Sequence, residues 1–350
     1  MSATDTVASA PDHQAEFDAA RLDAWLRLAV PDCRGPMRLE RIGGGQSNPT
    51  FFVSYDNRQL VMRKQPAGPV LPSAHAVDRE YRIMRALSLT DVPVPEMLAF
   101  CDDRAVVGTP FFVMARVEGR VFHDCALPGV AQPERRAIYF AMAETLARLQ
   151  KVDIAAVGLA DYGRPGGFFP RQIARWTSQW QLSKTRDNSD IERLIAWLPA
   201  HLPEGDETTI SHGDFRLGNL MFHPSEPRVV AVLDWELSTL GHPLADAAFS
   251  CLAWHTRPAW FNGVLGLDIE ALGIPSMACY LDRYRGAAGR LSDVETFHLV
   301  FSLFRFAVIL EGIAARAKAG NAAASNAAEV GDLSASFAGR AVELIEANGP

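Results

Sequence analysis

The spacing of apolar positions changes character along the chain. Residues 14–29 place Phe17, Leu22, Trp25, Leu26 and Ala29 at helical intervals, which predicts an amphipathic helix. The period then drops to two. Met37–Ile42 and Thr50–Tyr55 alternate, and Gln59–Lys64 follows a turn at Asp56-Asn57, so these three stretches are expected to form strands of an antiparallel sheet. A helix is expected over 73–87, capped by Ser73. Pro93 and Pro95 break it off, and strand-like pieces follow near 96–100 and 110–117. Beyond Gly119 the pattern is mainly helical, near 133–151, 170–184, 189–198, 243–255, 276–286, 292–318 and 327–347. Residues 1–11 read as disordered and 319–326 as a loop. Strands and helices do not alternate regularly, which argues against a doubly wound parallel sheet. The expected class is α+β, with a small β-rich segment (1–115) and a larger helical one (116–350).

Composition narrows the setting. A net charge of -7 argues against a general binder of nucleic acid or anionic membranes. The most apolar stretch, Phe297–Ala314, is interrupted by His298, Arg305 and Glu311 and is expected to be a buried helix rather than a membrane span. Five scattered cysteines with no CxxC fit reduced thiols, and the first residues lack the basic and apolar regions of a signal peptide, so a cytoplasmic protein is expected. Nothing in the sequence indicates an oligomeric state.

The chemistry is concentrated in Ser211-His-Gly-Asp-Phe-Arg-Leu-Gly-Asn-Leu-Met-Phe222 and Arg228-Val-Val-Ala-Val-Leu-Asp-Trp-Glu236. Two short apolar strands flank the turn His223–Pro227, and an antiparallel hairpin sets the start of one strand beside the end of the other. Asn219 and Asp234 should therefore meet at the hairpin mouth, with Asp214 on the loop before it. Such an oxygen-rich group suits Mg²⁺, which takes few protein ligands and keeps water and phosphate oxygens. Asp214 is then left to accept a proton from, or to orient, an attacking hydroxyl.

His212-Gly-Asp214 followed by Asn219 resembles the HGDxxxxN loop of the aminoglycoside phosphotransferase and choline kinase superfamily, itself related to the protein-kinase H-R-D-x-x-x-x-N. Leu233-Asp-Trp-Glu236 resembles that superfamily's replacement for D-F-G. The resemblance implies a protein-kinase-like two-lobed fold, with a small antiparallel β N-lobe and a larger, mainly helical C-lobe. It implies an ATP-dependent kinase in which Asp214 is the catalytic base, Arg216 contacts the γ-phosphate, and Asn219 and Asp234 hold Mg²⁺. Gly43-Gly-Gly-Gln-Ser-Asn48 is similar to the family's nucleotide loop, through Gly44, Gly45, Gln46, Ser47 and Asn48, although it departs from G-x-G-x-x-G. Arg63 stands where many kinases carry a phosphate-binding Lys. Lys64, on the opposite face of the strand, is the rival, and Arg63 is preferred. Glu80 matches the helix αC Glu, and Phe112–Gly119 resembles the hinge, with Met114, Ala115 and Val117 at the adenine. Leu71–Tyr81 and His212–Asn219 look most like the branch found in the kinase domains of acyl-CoA dehydrogenase family members 10 and 11. That implies a hydroxyacyl-CoA as the small-molecule hydroxyl substrate. The alternatives are an aminoglycoside- or choline-type alcohol kinase and an inactive nucleotide-binding pseudokinase.

Several residues have plainer readings. His212 is expected to brace the backbone of the loop, and Asp246 to cap a helix or brace a loop. Glu236 either approaches the metal or orients its neighbours. Cys251 and His255, spaced i, i+4, are expected to be core rather than a zinc pair. Trp176, Trp180 and Trp197 either pack core or line a substrate cleft.

Overall fold

Two kinds of local preference build this chain. Capped amphipathic segments form the helices, and alternating segments form short antiparallel strands. A computed structural model describes residues 17–43, 48–68, 75–289, 292–318 and 327–348. Residues 1–11 and 319–326, Ser73, and the loop residues Gly44, Gly45, Gln46 and Ser47 lie outside the described residues. The chain divides into two compact units, one reaching to Asp78 and including Leu98–Ala115, the other formed by Arg79–Met97 and the chain from Arg116 onward. Arg79–Met97, which the sequence pattern places with the first segment, thus groups with the larger unit.

In the smaller unit, helix α1 (Ala19–Ala29) starts where Asp18 accepts a hydrogen bond from Ala20 N, satisfying an amide the first turn leaves open. Strands β1 (Arg38–Arg41), β2 (Thr50–Ser54) and β3 (Gln59–Lys64) follow. Past α2 (Val77–Leu87) come β4 (Met97–Cys101), the single turn α3 (Arg104–Val107) and β5 (Phe111–Ala115). The sheet order is β1-β2-β3-β5-β4, and the pairs β1–β2, β2–β3 and β3–β5 are antiparallel. Alternation turns Phe51 and Val53 of β2, and Leu60 and Met62 of β3, onto one face, where they pack with Leu22 and Leu26 of α1. Each such buried side chain contributes about 1.5–3 kcal/mol.

The larger unit continues with β6 (Arg120–Val121), α4 (Gln132–Gln150), α5 (Phe168–Ser183), α6 (Ser189–Ala200), β7 (Thr209–Ser211), β8 (Leu220–Phe222), β9 (Val229–Val232) and β10 (Thr239–Gly241). Helices α7 (Pro243–Ser250), α8 (Leu252–His255), α9 (Met277–Ala288), α10 (Thr296–Lys318), α11 (Ala327–Asp332) and α12 (Ser334–Asn348) complete it. Helix α10 is its axis and packs against α5, α7, α11 and α12. Strands β7 and β10 pair antiparallel, and β6-β8-β9 form a three-stranded antiparallel sheet. The helix expected over 243–255 is two helices. The chain tightens at Cys251, whose amide bonds to Ala248 O at 3.0 Å while its carbonyl accepts from Trp254 N at 3.1 Å. Helix α10 begins at Thr296 rather than 292, where the Glu295 amide donates to His298 Nδ1 at 3.1 Å.

Candidate active site

Strand β7 feeds the loop that carries His212, Asp214 and Arg216. The loop is anchored first at its backbone. The amides of His212 and Gly213 donate to Oδ2 and Oδ1 of Asp246, at 2.6 and 2.9 Å. Asp246 lies buried in the first turn of α7. Burial pushes its carboxyl above the usual carboxylate range, while His212, the two amides and Arg305 pull the other way. Asp246 is therefore a loop brace. Gly213 sits at φ +84°, and a Cβ there would stand 2.6 Å from Leu237 O. Its carbonyl accepts a hydrogen bond from the Arg305 guanidinium, which reaches in from α10. That guanidinium is buried between the rings of Trp176 and Phe249, 5.5 and 5.3 Å from their centroids. Burial lowers its pKa, and the charges of Asp214 and Asp246 oppose that shift.

His212 ties the loop to the neighbouring hairpin. The Asp214 amide donates to its Nδ1 at 3.2 Å, so Nδ1 carries no proton. Nε2 then holds the proton and donates to Leu233 O at 2.9 Å. The ring is fully buried, 4.7 Å from that of Trp235. With both nitrogens engaged in bracing backbone, the imidazole is structural.

The carboxylate of Asp214 accepts from Asn219 Nδ2 at 2.6 Å and from Arg216 Nε at 3.3 Å, both at Oδ2. Asn219 Nδ2 also donates to the Asp214 carbonyl at 2.8 Å, which assigns the amide orientation and leaves Asn219 Oδ1 as the end directed elsewhere. Leu220 pairs with Val232, and Leu233 N donates to Asn219 O at 2.8 Å. Asn219 and Asp234 thus adjoin at the hairpin mouth, and the structure brings Asp214, Arg216, Asn219 and Asp234 together within one unit. Asp234 has φ 63° and ψ 65°, a left-handed conformation that costs a non-glycine residue on the order of 1–3 kcal/mol and that clusters at functional sites. Its side chain does not cap the 3-10 turn Trp235–Leu237 that follows, where Glu236 lies.

Among the described residues no three His, Cys, Asp or Glu side chains cluster as a metal site. Cys251 and His255 form no such group, and His255 Nε2 lies instead 3.2 Å from Met277 Sδ. Magnesium asks for less: one or two protein oxygens completed by phosphate oxygens and water. One carboxylate and one amide oxygen, at Asp234 and Asn219, match that requirement. Arg216, Leu217 and Gly218 of the loop also form one wall of a pocket. Its remaining walls are largely aromatic and aliphatic, including Tyr139, Met142, Phe249 and Phe306.

The expected nucleotide residues are spread over both units. Asn48 is buried, with Oδ1 3.0 Å from His75 Nδ1. On β3, Arg63 shares a face with Val61, opposite the core-facing Leu60 and Met62. Lys64 shares the face of Leu60 and Met62, is 1% exposed, and has Nζ 5.4 Å from the Phe17 ring centroid. Of the two cations, Arg63 is therefore the one turned away from the core. Met114 and Ala115 stand opposite Val61 and Leu60 on β5, and Val117 lies just beyond that strand. Glu80 is buried on α2, where its charge adds to burial in raising the Tyr162 phenol. Trp180 is core, Trp176 covers Arg305, and half-buried Trp197 stacks on His201 at 4.1 Å. Arg305 belongs to none of the motifs in the sequence. Its only signal was a lone arginine inside an apolar helix.

The sequence profile described as the phosphotransferase enzyme family matches residues 38–279. The chain is 44% identical over 321 residues to acyl-CoA dehydrogenase family member 10 of Mus musculus, covering 91% of this chain and 30% of that protein. It is 40% identical over 344 residues to family member 11 of Gallus gallus, covering 95% and 44%. The chain thus spans less than half the length of either relative. A crystal structure from Ralstonia eutropha, provisionally named an aminoglycoside phosphotransferase, superposes with a TM-score of 0.85 at 46% identity, covering 94% of this chain and 98% of that one. A thermostable aminoglycoside phosphotransferase mutant in ternary complex with AMP-PNP and hygromycin B shares the fold at a TM-score of 0.60 and 17% identity, covering 94% and 98%. The span of the family match, and likeness at this level over nearly the whole chain, make this protein a member of the phosphotransferase enzyme family, a kinase-type enzyme with a protein-kinase-like fold.

Proposed function

We propose that this chain transfers the γ-phosphoryl group of ATP to a hydroxyl of a small molecule, with hydroxyacyl-CoA thioesters as the acceptor class. The observation that carries the reading is the Asp214 carboxylate, fixed by Asn219 and Arg216 beside Asp234 at the hairpin mouth. In this reading Asp214 orients the acceptor hydroxyl and receives its proton. Arg216 neutralises charge on the phosphoryl group in transfer, and Arg63 holds phosphate oxygens. Met114, Ala115 and Val117 supply backbone groups for adenine. Magnesium held by Asn219 and Asp234 would supply charge neutralisation at the phosphates. The protein's own part is positioning and electrostatic stabilisation, the main sources of rate in phosphoryl transfer. The fold neighbour that binds AMP-PNP supports ATP as donor. Relatives named as acyl-CoA dehydrogenase family members support an acyl-CoA acceptor. A pocket that is mostly apolar and carries Arg216 suits such an acceptor better than a polycationic antibiotic.

The test is a γ-phosphate transfer screen against hydroxyacyl-CoAs, choline-like alcohols and aminoglycosides, run with the wild type and Asp214→Ala. The substitution should cut turnover by about a thousandfold while ATP binding, measured calorimetrically, is retained. Turnover of wild-type size in Asp214→Ala overturns the assignment.

A further inference from the structure

The pocket beside the catalytic loop has one wall of unusual construction. Phe261 and Asn262 both have positive φ, 82° and 57°. For a bulky phenylalanine this is a genuine outlier, tolerated only where surrounding structure over-determines it. The loop is indeed held on all sides. Asn262 N bonds to Pro258 O at 3.0 Å, Gly263 N to Arg257 O at 3.2 Å, and Val264 N to Ala253 O at 2.8 Å. Asn262 O accepts from Cys125 N at 3.0 Å.

The held conformation presents the Phe261 side chain to the pocket. Its ring lies 4.8 Å from that of Phe306 at the apolar end. At the other end, the Arg216 guanidinium carbon lies 5.1 Å from the ring centroid. Arg216 in turn bonds to Asp214. One side chain therefore touches both the apolar lining and the cation paired with the catalytic carboxylate. Yet Phe261 is 38% exposed, so core packing does not account for the strain.

We propose that Phe261 is a specificity-determining residue. It forms the wall along which the apolar arm of the acceptor lies, and it sets how that arm extends from the hydroxyl held at Asp214. The proposal rests on the acceptor reading above and adds a requirement to it: the acceptor carries an apolar chain adjoining its reactive carbon. Selectivity for chain length then belongs to the Phe261–Phe306 end of the pocket. An acceptor too short to reach those rings leaves their apolar surface uncovered.

The experiment compares wild type, Phe261→Ala and Ala253→Phe on short-, medium- and long-chain hydroxyacyl-CoAs. Phe261→Ala should lower kcat/KM for the medium-chain acceptor about tenfold relative to the short one, with KM for ATP unchanged. Ala253 also lines the pocket, and the larger side chain there should selectively exclude long acceptors. A second readout does not depend on turnover. Cys125 lines the same pocket, so octanol should protect its thiol from N-ethylmaleimide, scored by peptide mass mapping, and Phe261→Ala should weaken that protection. Equal loss across all chain lengths, or no octanol protection of Cys125 in the wild type, overturns the proposal. Should the wild type phosphorylate no hydroxyacyl-CoA at all, the acceptor class fails, and the Cys125 protection experiment still decides whether the pocket takes an apolar chain.

Discussion

At the scale of single residues, Arg305 shows how a charge can be retained in an apolar helix. Its guanidinium is enclosed by Trp176 and Phe249, bonded to Gly213 O, and close enough to feel Asp214 and Asp246. Removing one partner from a buried charge group is far more damaging than never having had the group, because the remaining charge stays buried and uncompensated. Arg305→Met should therefore cost about 3 kcal/mol in urea unfolding. It should also lower kcat more than it raises KM for ATP, since the carbonyl it holds immediately precedes Asp214. Arg305→Lys keeps the charge and should recover part of the kcat. A Met variant with wild-type kcat would remove Arg305 from any positioning role.

Among the elements, the loop between β7 and β8 depends on a backbone turn that few residues can make. Gly213 provides it through φ +84°, directing two amides onto Asp246 and the carbonyl onto Arg305. A methyl group there meets Leu237 O, within a segment held by its pairing and turns. Gly213→Ala is expected to destabilise by about 2 kcal/mol, the scale of one strained backbone position, and to abolish most activity. Thermal melting with a parallel transfer assay checks both, and an active Ala variant of normal stability would contradict the geometry. The element limits follow the same short-range rules. Helix α10 starts late because His298 takes the Glu295 amide, and the helix expected over 243–255 divides where Cys251 tightens into a shorter-range turn.

For the whole molecule, the feature with a solution consequence is a pair of histidines held neutral in the larger unit. Burial lowers His255 to about 4, with Arg340 adding to the effect. Burial also lowers His298 to about 4, with His242 adding to it. Both stand near 6.5 when unfolded, so between about pH 4 and 6.5 the unfolded chain binds more protons than the folded one. Their stabilisation is present above that window and is lost as pH falls through it, by up to about 3 kcal/mol per histidine at the acid end. Asp246, raised by burial, contributes with the opposite sign. Melting temperature should fall steeply from pH 6.5 to 4.5, and His298→Asn should make the fall shallower. An unchanged slope in that variant would contradict the shift. The apolar helix α10, whose length and composition would suffice to cross a membrane, has 89% of its most apolar window buried inside the protein.

What the sequence determined by itself was whatever acts over short separations. Periodicity located α1, β2, β3 and the long helices. The five-residue step from Asp214 to Asn219, with an apolar hairpin ending at Asp234, placed three oxygen-bearing side chains at one mouth. Strand alternation separated Arg63 from Lys64. Only the tertiary structure decided which distant groups close around that loop. Gly213 and Arg305 lie 92 positions apart, and no local pattern links them. Asp246 reads as a helix cap or a loop brace, and the folded chain decides between them by setting its carboxylate under two amides of another segment. The strained Phe261 could not be read at all, because the bonds that hold its segment run from the following residues, Asn262 and Gly263, to Pro258, Arg257 and Cys125. Propensity and pattern are properties of neighbours in sequence, whereas charge burial and forced backbone geometry arise only once remote segments share one interior.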